Sequence, residues 1–138
     1  MSEATDYQSK IRQQVDQYRN VENVHELPDI FHYWANRYLA PPLTELFETA
    51  DPVQIFTKVF AECASKCAAE IRPVFLSVGA GDCSIEIEIA RRLKDLGLDF
   101  IIECTELSDV LLKRGRKAAA TANVADYLLF SEVDINQW

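Results

Sequence analysis

Apolar residues recur at helical spacing through the first part of the chain, and the pattern changes near Arg72. Before that point, helices are predicted over about 7–18, 28–40, 43–49 and 52–70. The first helix carries one apolar stripe, formed by Tyr7, Ile11, Val15 and Tyr18. Asp51 caps the start of the fourth helix, with Pro52 in its first turn. Pro41 and Pro42 are expected to end the second helix, because a residue before proline avoids helical geometry.

Beyond that point, strand and helix patterns alternate. Residues 73–78 form a short apolar run before a glycine, which predicts a strand buried on both faces. Further strands are predicted over 98–105 and 127–133, and Ser108 caps a helix between them. This order predicts an α/β fold with a parallel sheet of three strands and right-handed crossovers. The preceding helices are expected to pack at the edge of this sheet or over its carboxyl end.

The segment 84–96 fits two interpretations. Isoleucine and glutamate alternate at its start, which is the period of a strand. Ile85, Ile89 and Leu93 also stand at helical spacing, and Gly97 follows where a helix would end. We interpret the segment as a helix.

Composition and charge narrow the function classes. Of 138 residues, 14 are Lys or Arg and 22 are Asp or Glu, which gives a formal charge of −8. An acidic chain repels phosphate backbones, so nucleic acid is not an expected partner. The longest run of large apolar residues, 127–130, is too short to cross a membrane, and the first residues lack the basic and apolar parts of a secretory signal. A cytoplasmic protein is therefore expected.

The four cysteines, at positions 63, 67, 83 and 104, are expected to be reduced thiols in a chain without an export signal. Cys63 and Cys67 stand one helical turn apart, yet nothing nearby completes a zinc-binding set. We interpret both as small core residues and predict no metal site.

The turn after the first strand carries the clearest candidate chemistry. Gly79, Ala80, Gly81 and Asp82 join a predicted strand to a predicted helix. Glycine lacks the Cβ that blocks tight turning and close approach of the backbone to a ligand, and a helix start offers free N–H groups with a partial positive charge. Two glycines in such a turn also have a purely structural interpretation.

Acidic residues follow at the tips of the next two strands. Glu106 follows Gly79 by 27 positions and ends the second strand, and Asp134 ends the third. A carboxylate at a strand tip can accept hydrogen bonds from a ribose diol. The three successive strand tips thus carry a glycine, an acid and a second acid, and together they predict one nucleoside site. Taken by itself, Glu106 also fits a solvated acid that precedes a helix.

These motifs resemble those of the class I S-adenosylmethionine-dependent methyltransferases, which have a Rossmann-like fold. Residues 78–83 look like their glycine-rich first motif, 106–109 like their acidic ribose-binding motif, and 133–135 like the motif that meets the adenine. The resemblance implies S-adenosyl-L-methionine as the cofactor. It implies the binding residues Gly79, Ala80, Gly81, Asp82, Glu106, Leu107, Asp134 and Ile135. The run 27–39 resembles helical extensions that cover the cofactor cleft in some of these proteins.

The chain departs from this family at two motif positions and in its extent. Ser77 stands where the family usually has an acid, and Cys83 stands where a third small residue is often glycine. The family's sheet normally has seven strands, whereas three are predicted here. The resemblance therefore implies a helical extension over 1–71 and the first, cofactor-binding half of a domain over 72–138. The open edge of an incomplete sheet implies a missing half or a second copy as partner.

The sequence assigns no catalytic residue and no methyl acceptor, and the chain alone is either an enzyme or an inactive part of one. His32 and Tyr33 are candidate bases only if the N-terminal helices close over the cleft. Arg114 and Lys117 are interpreted as a solvated helix surface. Two alternatives stay open: a NAD(P)-binding Rossmann domain, which shares the turn and the acid, and a non-catalytic nucleotide-binding or assembly module.

Overall fold

A computed structural model describes residues 3–19, 21, 26–68 and 70–137, without the side chains of residues 3–5 and 18. Its first part is helical, with α1 (Glu3–Arg19), α2 (Asp29–Trp34), a π-helical turn (Ala35–Leu39), α3 (Ala40–Phe47) and α4 (Pro52–Lys66). Its second part alternates, with β1 (Val74–Val78), α5 (Ser84–Asp95), β2 (Ile101–Glu106), α6 (Asp109–Thr121) and β3 (Leu128–Glu132). Short 3-10 turns precede β3 (Ala125–Tyr127) and follow it (Ile135–Gln137).

The strands of the described residues form one parallel sheet in the order β1–β2–β3. Val78 at the end of β1 lies beside Thr105 in β2, and Glu106 lies beside Glu132 in β3. The carboxyl ends of the strands therefore meet at one edge, which is where open parallel sheets hold their ligands. The predicted Rossmann-like parallel sheet, preceded by helices, is confirmed.

The core lies between the sheet and the two helices that connect its strands. α5 and α6 contact each other and the sheet. The largest side chains sealed in this layer are Leu93, Phe100, Ile102, Leu112 and Val124. The interpretation of 84–96 as a helix is confirmed by α5, which buries Ile87, Ile89, Ala90 and Leu93. α4 extends this core, with the ring of Phe60 stacked on that of Phe75 in β1 at a centroid distance of 4.1 Å.

In the described part of the chain, the sheet is covered on one face only. Val74, Leu76 and Leu129 alternate with the buried strand positions and are 61%, 49% and 50% exposed. The prediction that β1 is buried on both faces is wrong, because α5 and α6 both lie against the opposite face. The bare face is apolar at these three positions, and it carries Glu103 near its centre, whose Oε1 accepts from the Ser131 hydroxyl at 2.9 Å.

The N-terminal helices differ from the prediction at their ends. The helical run continues through Pro41 and Pro42, because the π-helical turn ends just before them and both occupy the first turn of α3. α4 ends at Lys66 rather than near residue 70, since the backbone of Cys67 is extended. Each helix among the described residues is too short or too polar to cross a lipid bilayer. The division of the chain after residue 71 stays a prediction.

The cysteines have two different environments. Cys63 is exposed and Cys67 partly exposed, so the prediction that Cys63 is a core residue is wrong. Cys83 and Cys104 are fully buried instead. A hydrogen bond with Cys83, together with burial, raises the pKa of the Cys104 thiol. That thiol therefore stays protonated and unreactive at neutral pH.

Two substitutions distinguish the faces of the sheet. Ile102→Ala removes a buried side chain and is expected to lower the free energy of unfolding by about 2–5 kcal/mol. Leu76→Ala on the bare face is expected to lower it by about 1 kcal/mol or less, because half of that side chain is already exposed. Urea unfolding followed by circular dichroism measures both. Equal losses would contradict one-sided cover and indicate that further protein packs on β1.

Candidate functional site

The turn between β1 and α5 has a backbone geometry that glycine permits. Gly79 and Gly81 have φ angles of +71° and +60°, in the left-handed region that side chains disfavour. The N–H groups of Gly79 and Ala80 both donate to the carbonyl of Thr105 near the end of β2, at 2.9 and 3.0 Å. The turn is therefore folded back against β2.

The Glu106 carboxylate joins this turn to the start of α6. Its Oε2 accepts a hydrogen bond from the Gly81 N–H at 3.0 Å. Its Oε1 accepts from the N–H groups of Leu107 and Ser108, at 2.8 and 3.0 Å. Bonds from backbone N–H groups to a charged carboxylate are stronger than those to a neutral acceptor. Glu106 is therefore a structural residue of the site, and the alternative of a merely solvated acid is wrong.

Asp134, just after β3, is held by residues from both ends of the chain. Its Oδ1 accepts from the backbone N–H and the side-chain Nδ2 of Asn136, at 3.0 and 3.3 Å. Its Oδ2 accepts from the Tyr7 hydroxyl at 2.5 Å. The bond from Tyr7 lowers the pKa of Asp134, because it stabilises the charged carboxylate, and the same bond raises the pKa of Tyr7. Asp134 is therefore ionised and oriented at neutral pH.

A cavity of about 330 Å³ lies at the carboxyl edge of the sheet. The end of β2 lines it with Thr105 and Glu106. The segments after the three strands add Gly79, Leu107, Ser108, Val133, Asp134, Ile135 and Asn136. α1 contributes Ile11, Gln14 and Val15. The structure thus brings Gly79, Glu106, Leu107, Asp134 and Ile135 together at one cavity. Ala80, Gly81 and Asp82 lie in the adjoining turn and do not line it. The binding role of all eight stays a prediction.

Arg114 on α6 fixes the second end of α1. Its guanidinium donates to the carbonyl of Arg19 at 2.8 Å and to that of Val21 at 2.7 Å. A cation at the C-terminal end of a helix also complements the partial negative charge there. Arg114 therefore anchors α1 beside the cavity, and its interpretation as part of a solvated surface is wrong.

The segment expected to cover the cleft lies elsewhere. α2, the π-helical turn and α3 have no buried residue, and Tyr33 is 58% exposed. Neither His32 nor Tyr33 lines the cavity. The structure therefore covers the cavity with α1 rather than with 27–39, and it does not bring the two candidate bases to the site.

Gly115 on α6 allows that helix to approach the glycine turn closely. A Cβ at Gly115 would lie 3.0 Å from the carbonyl oxygen of Asp82 and 3.2 Å from Cys83 Sγ. Cys83 itself has a φ of +60° and is fully buried against this gap. Sequence reasoning did not single out Gly115. A glycine inside a helix is the signal that identifies such a contact.

Ser77 has a carboxylate beside it, supplied from another element. Its hydroxyl donates to Glu86 Oε1 in the first turn of α5 at 2.6 Å. Glu86 Oε2 is buried without a hydrogen-bond partner among the described residues. An acid from α5 therefore lies at the end of β1, beside Ser77. Sequence reasoning missed this pairing, because the two residues lie on different elements.

The fold and the cavity define an α/β protein with a ligand cleft at the carboxyl edge of a parallel sheet. No protein-family model matches the chain, and no curated protein matches it. Solved structures do match it, and several of them are S-adenosylmethionine-dependent methyltransferases.

Three matching structures, each in complex with S-adenosyl-L-homocysteine, illustrate the similarity. An RNA methyltransferase from Salinibacter ruber is 26% identical, with a TM-score of 0.42, and the match covers 61% of this chain and 50% of that one. A SAM-dependent methyltransferase from Thiobacillus denitrificans is 17% identical, with a TM-score of 0.42, over 82% of this chain and 39% of that one. Another from Geobacter sulfurreducens is 18% identical, with a TM-score of 0.40, over 82% and 39%.

The chain spans half or less of the length of each of these structures. TM-scores of 0.40 to 0.42 correspond to a partial superposition. The fold class therefore stands on the strand order and register of the chain itself.

Glu106→Ala is expected to lower the free energy of unfolding by about 1–3 kcal/mol, because three backbone N–H groups lose their acceptor. Glu132→Ala is the matched control, since this acid lies beside Glu106 on β3 and is exposed. Urea unfolding of both variants measures the difference. Similar small losses would show that the three hydrogen bonds do not hold the turn.

Gly115→Ala is expected to lower the free energy of unfolding by about 1–3 kcal/mol, because the new methyl group displaces the glycine turn. In an open helical position the same change would raise it by about 0.5–1 kcal/mol. The sign of the change in the free energy of unfolding, measured by thermal or urea unfolding, distinguishes the two cases. A gain in stability would mean that α6 does not pack closely against the turn.

Proposed function

We propose that this chain is the cofactor-binding part of an S-adenosylmethionine-dependent methyltransferase. One observation carries the proposal: Gly79, Glu106 and Asp134, from three adjacent strand tips, meet at one cavity. Its volume of about 330 Å³ lies within the range of small-molecule sites. The order of the three sequence motifs supports the same function.

The donor set of the cavity suits a nucleoside with a charged amino-acid tail. The bare backbone at Gly79 and Gly81 permits close approach of a ligand. Glu106 Oε2 accepts one hydrogen bond in the structure, so it keeps acceptor capacity for a ribose hydroxyl. Asp134 would accept from the amino group of an adenine, with Ile135 beside the ring. Ala80, Asp82 and Leu107 complete the proposed set, from the turn and from the start of α6.

The chemistry required of the protein is mainly positional. The cofactor, when bound, supplies a methyl group on an electrophilic sulfonium. The polypeptide has to hold an acceptor in line with that methyl group and exclude water. A general base is needed only where the acceptor must lose a proton, and the proposal assigns none. A cytoplasmic location and free thiols remain part of the proposal.

A second candidate is an assembly module that binds a nucleoside without catalysis. The bare apolar face of the sheet favours it, since Val74, Leu76 and Leu129 call for cover by further protein. Such cover comes from a second copy or from additional polypeptide. Light scattering distinguishes these sources, because a dimer that Leu76→Lys converts to monomers identifies the second copy.

Calorimetric titration tests the proposed cofactor. The chain is expected to bind S-adenosyl-L-homocysteine and not NADH, because Ser84 replaces the third glycine that dinucleotide-binding turns require. Binding of NADH with the higher affinity would favour the dehydrogenase alternative. If the chain binds neither compound, both the methyltransferase proposal and the dehydrogenase alternative are contradicted.

Gly81→Val is expected to weaken binding of S-adenosyl-L-homocysteine by more than about tenfold, because a branched side chain at a positive φ distorts the turn. Gly97→Val is the matched control, since Gly97 has a φ of +73° at the end of α5 and open space around its Cβ position. Both variants carry similar backbone strain. Equal affinities would show that the glycine turn does not contact the ligand.

A further inference from the structure

α1 forms one wall of the candidate site, here called its roof, and side-chain hydrogen bonds fix this helix at both ends. Near its start, the Tyr7 hydroxyl donates to Asp134 Oδ2 across 127 positions of sequence. At its end, Arg114 binds the carbonyls of Arg19 and Val21. Between these anchors, Ile11, Gln14 and Val15 line the cavity. The two anchors differ in their partners: the hydrogen-bond partner of Tyr7, Asp134, lines the cavity, whereas the partners of Arg114 do not.

The hydrogen bonds at Asp134 leave a defined acceptor position. An ionised carboxylate has about four acceptor positions, two on each oxygen. Asn136 occupies both positions on Oδ1 with its backbone N–H and its Nδ2. Tyr7 occupies one position on Oδ2. Among the described residues these are the hydrogen bonds that Asp134 accepts, so one position on Oδ2 is available to a ligand.

We propose that Tyr7 is a positioning residue that fixes the Asp134 carboxylate and thereby selects bases with an exocyclic amino group over bases with a carbonyl at the same place. The inference rests on the proposed function, since it requires a nucleoside in the cavity. It goes beyond that function, because it assigns selectivity to a residue of the first helix, far from the three motifs.

The selectivity follows from the charge and donor pattern of the base. An amino group donates a hydrogen bond to the remaining acceptor position, whereas a carbonyl oxygen faces the carboxylate with its own lone pairs. Sites built on a hydrogen bond reject the analogue that lacks the matching group, because a polar atom of the site then stays unpaired, and the penalty grows with burial. Asp134 is partly exposed, so a preference of modest size is expected. Asp134 is an ordinary acid whose pKa the Tyr7 bond lowers further, so at neutral pH the carboxylate acts as an acceptor and not as a donor. Without the hydroxyl, Asn136 alone holds the carboxylate through Oδ1, and no second residue fixes Oδ2. The two bases are then distinguished less well.

The test compares the affinities of S-adenosylhomocysteine and S-inosylhomocysteine by calorimetry, for the unaltered chain and three variants. Tyr7→Phe removes only the hydroxyl and is expected to reduce the preference for the adenosyl compound at least about fivefold. Arg114→Gln frees the other end of α1 and is expected to weaken both compounds by the same factor. Tyr38→Phe, at an exposed ring on the π-helical turn, is the control and is expected to change neither affinity.

Each outcome is decisive. A Tyr7→Phe variant that loses both affinities equally, as Arg114→Gln does, would show that Tyr7 only holds the roof, and the inference would be overturned. Binding with unchanged preference would overturn it as well, while leaving the proposed function intact. If the unaltered chain binds neither nucleoside, the proposed function fails and the inference fails with it. Loss of preference confined to Tyr7→Phe supports the positioning role.

Discussion

The candidate site depends on one carboxylate that accepts hydrogen bonds from three backbone N–H groups. Glu106 stands at the tip of the central strand, and it binds Gly81 on one side and the start of α6 on the other. These N–H groups lie outside the helix and strand ladders, so without the carboxylate they would need water or a ligand as acceptor. One charged group therefore fixes the glycine turn relative to the helix that follows β2. Both segments line the cavity, through Gly79 on one side and Leu107 and Ser108 on the other.

Close approach of small residues completes this arrangement. Gly115 has no side chain where α6 faces the turn, and Cys83 fills the space that remains. The polar groups needed for a ligand then project from strand ends, whose positions the buried core layer fixes. The apolar residues of the bare face, Val74, Leu76 and Leu129, do not line the cavity.

α1 gives the cavity its remaining wall and makes the site non-local. The motifs at Gly79, Glu106 and Asp134 lie within one run of strands, whereas Tyr7 and Gln14 come from the beginning of the chain. Asp134, which the sequence resemblance assigns to the adenine, thus already accepts a hydrogen bond from Tyr7 of the same chain. Any ligand that reaches Asp134 has to share the carboxylate with that hydroxyl or displace it. This constraint affects how a ligand enters the cavity and how it is oriented there, in addition to how tightly the strand tips bind it.

Local signals in the sequence determined the alternation of strands and helices, the glycine turn, the acids at the strand tips and the caps at Asp51 and Ser108, because each depends on residues within a few positions of one another. Only the tertiary structure decided which face of β1 is covered, which helix roofs the cavity, and which partners Arg114, Ser77 and Tyr7 bind. Those contacts join residues on different elements. Helical or strand periodicity identifies the face of an element that is buried, but it does not identify the element that packs against that face. The helix through Pro41 and Pro42 shows the same limit, since a π-helical turn repositions prolines that local rules place at an end.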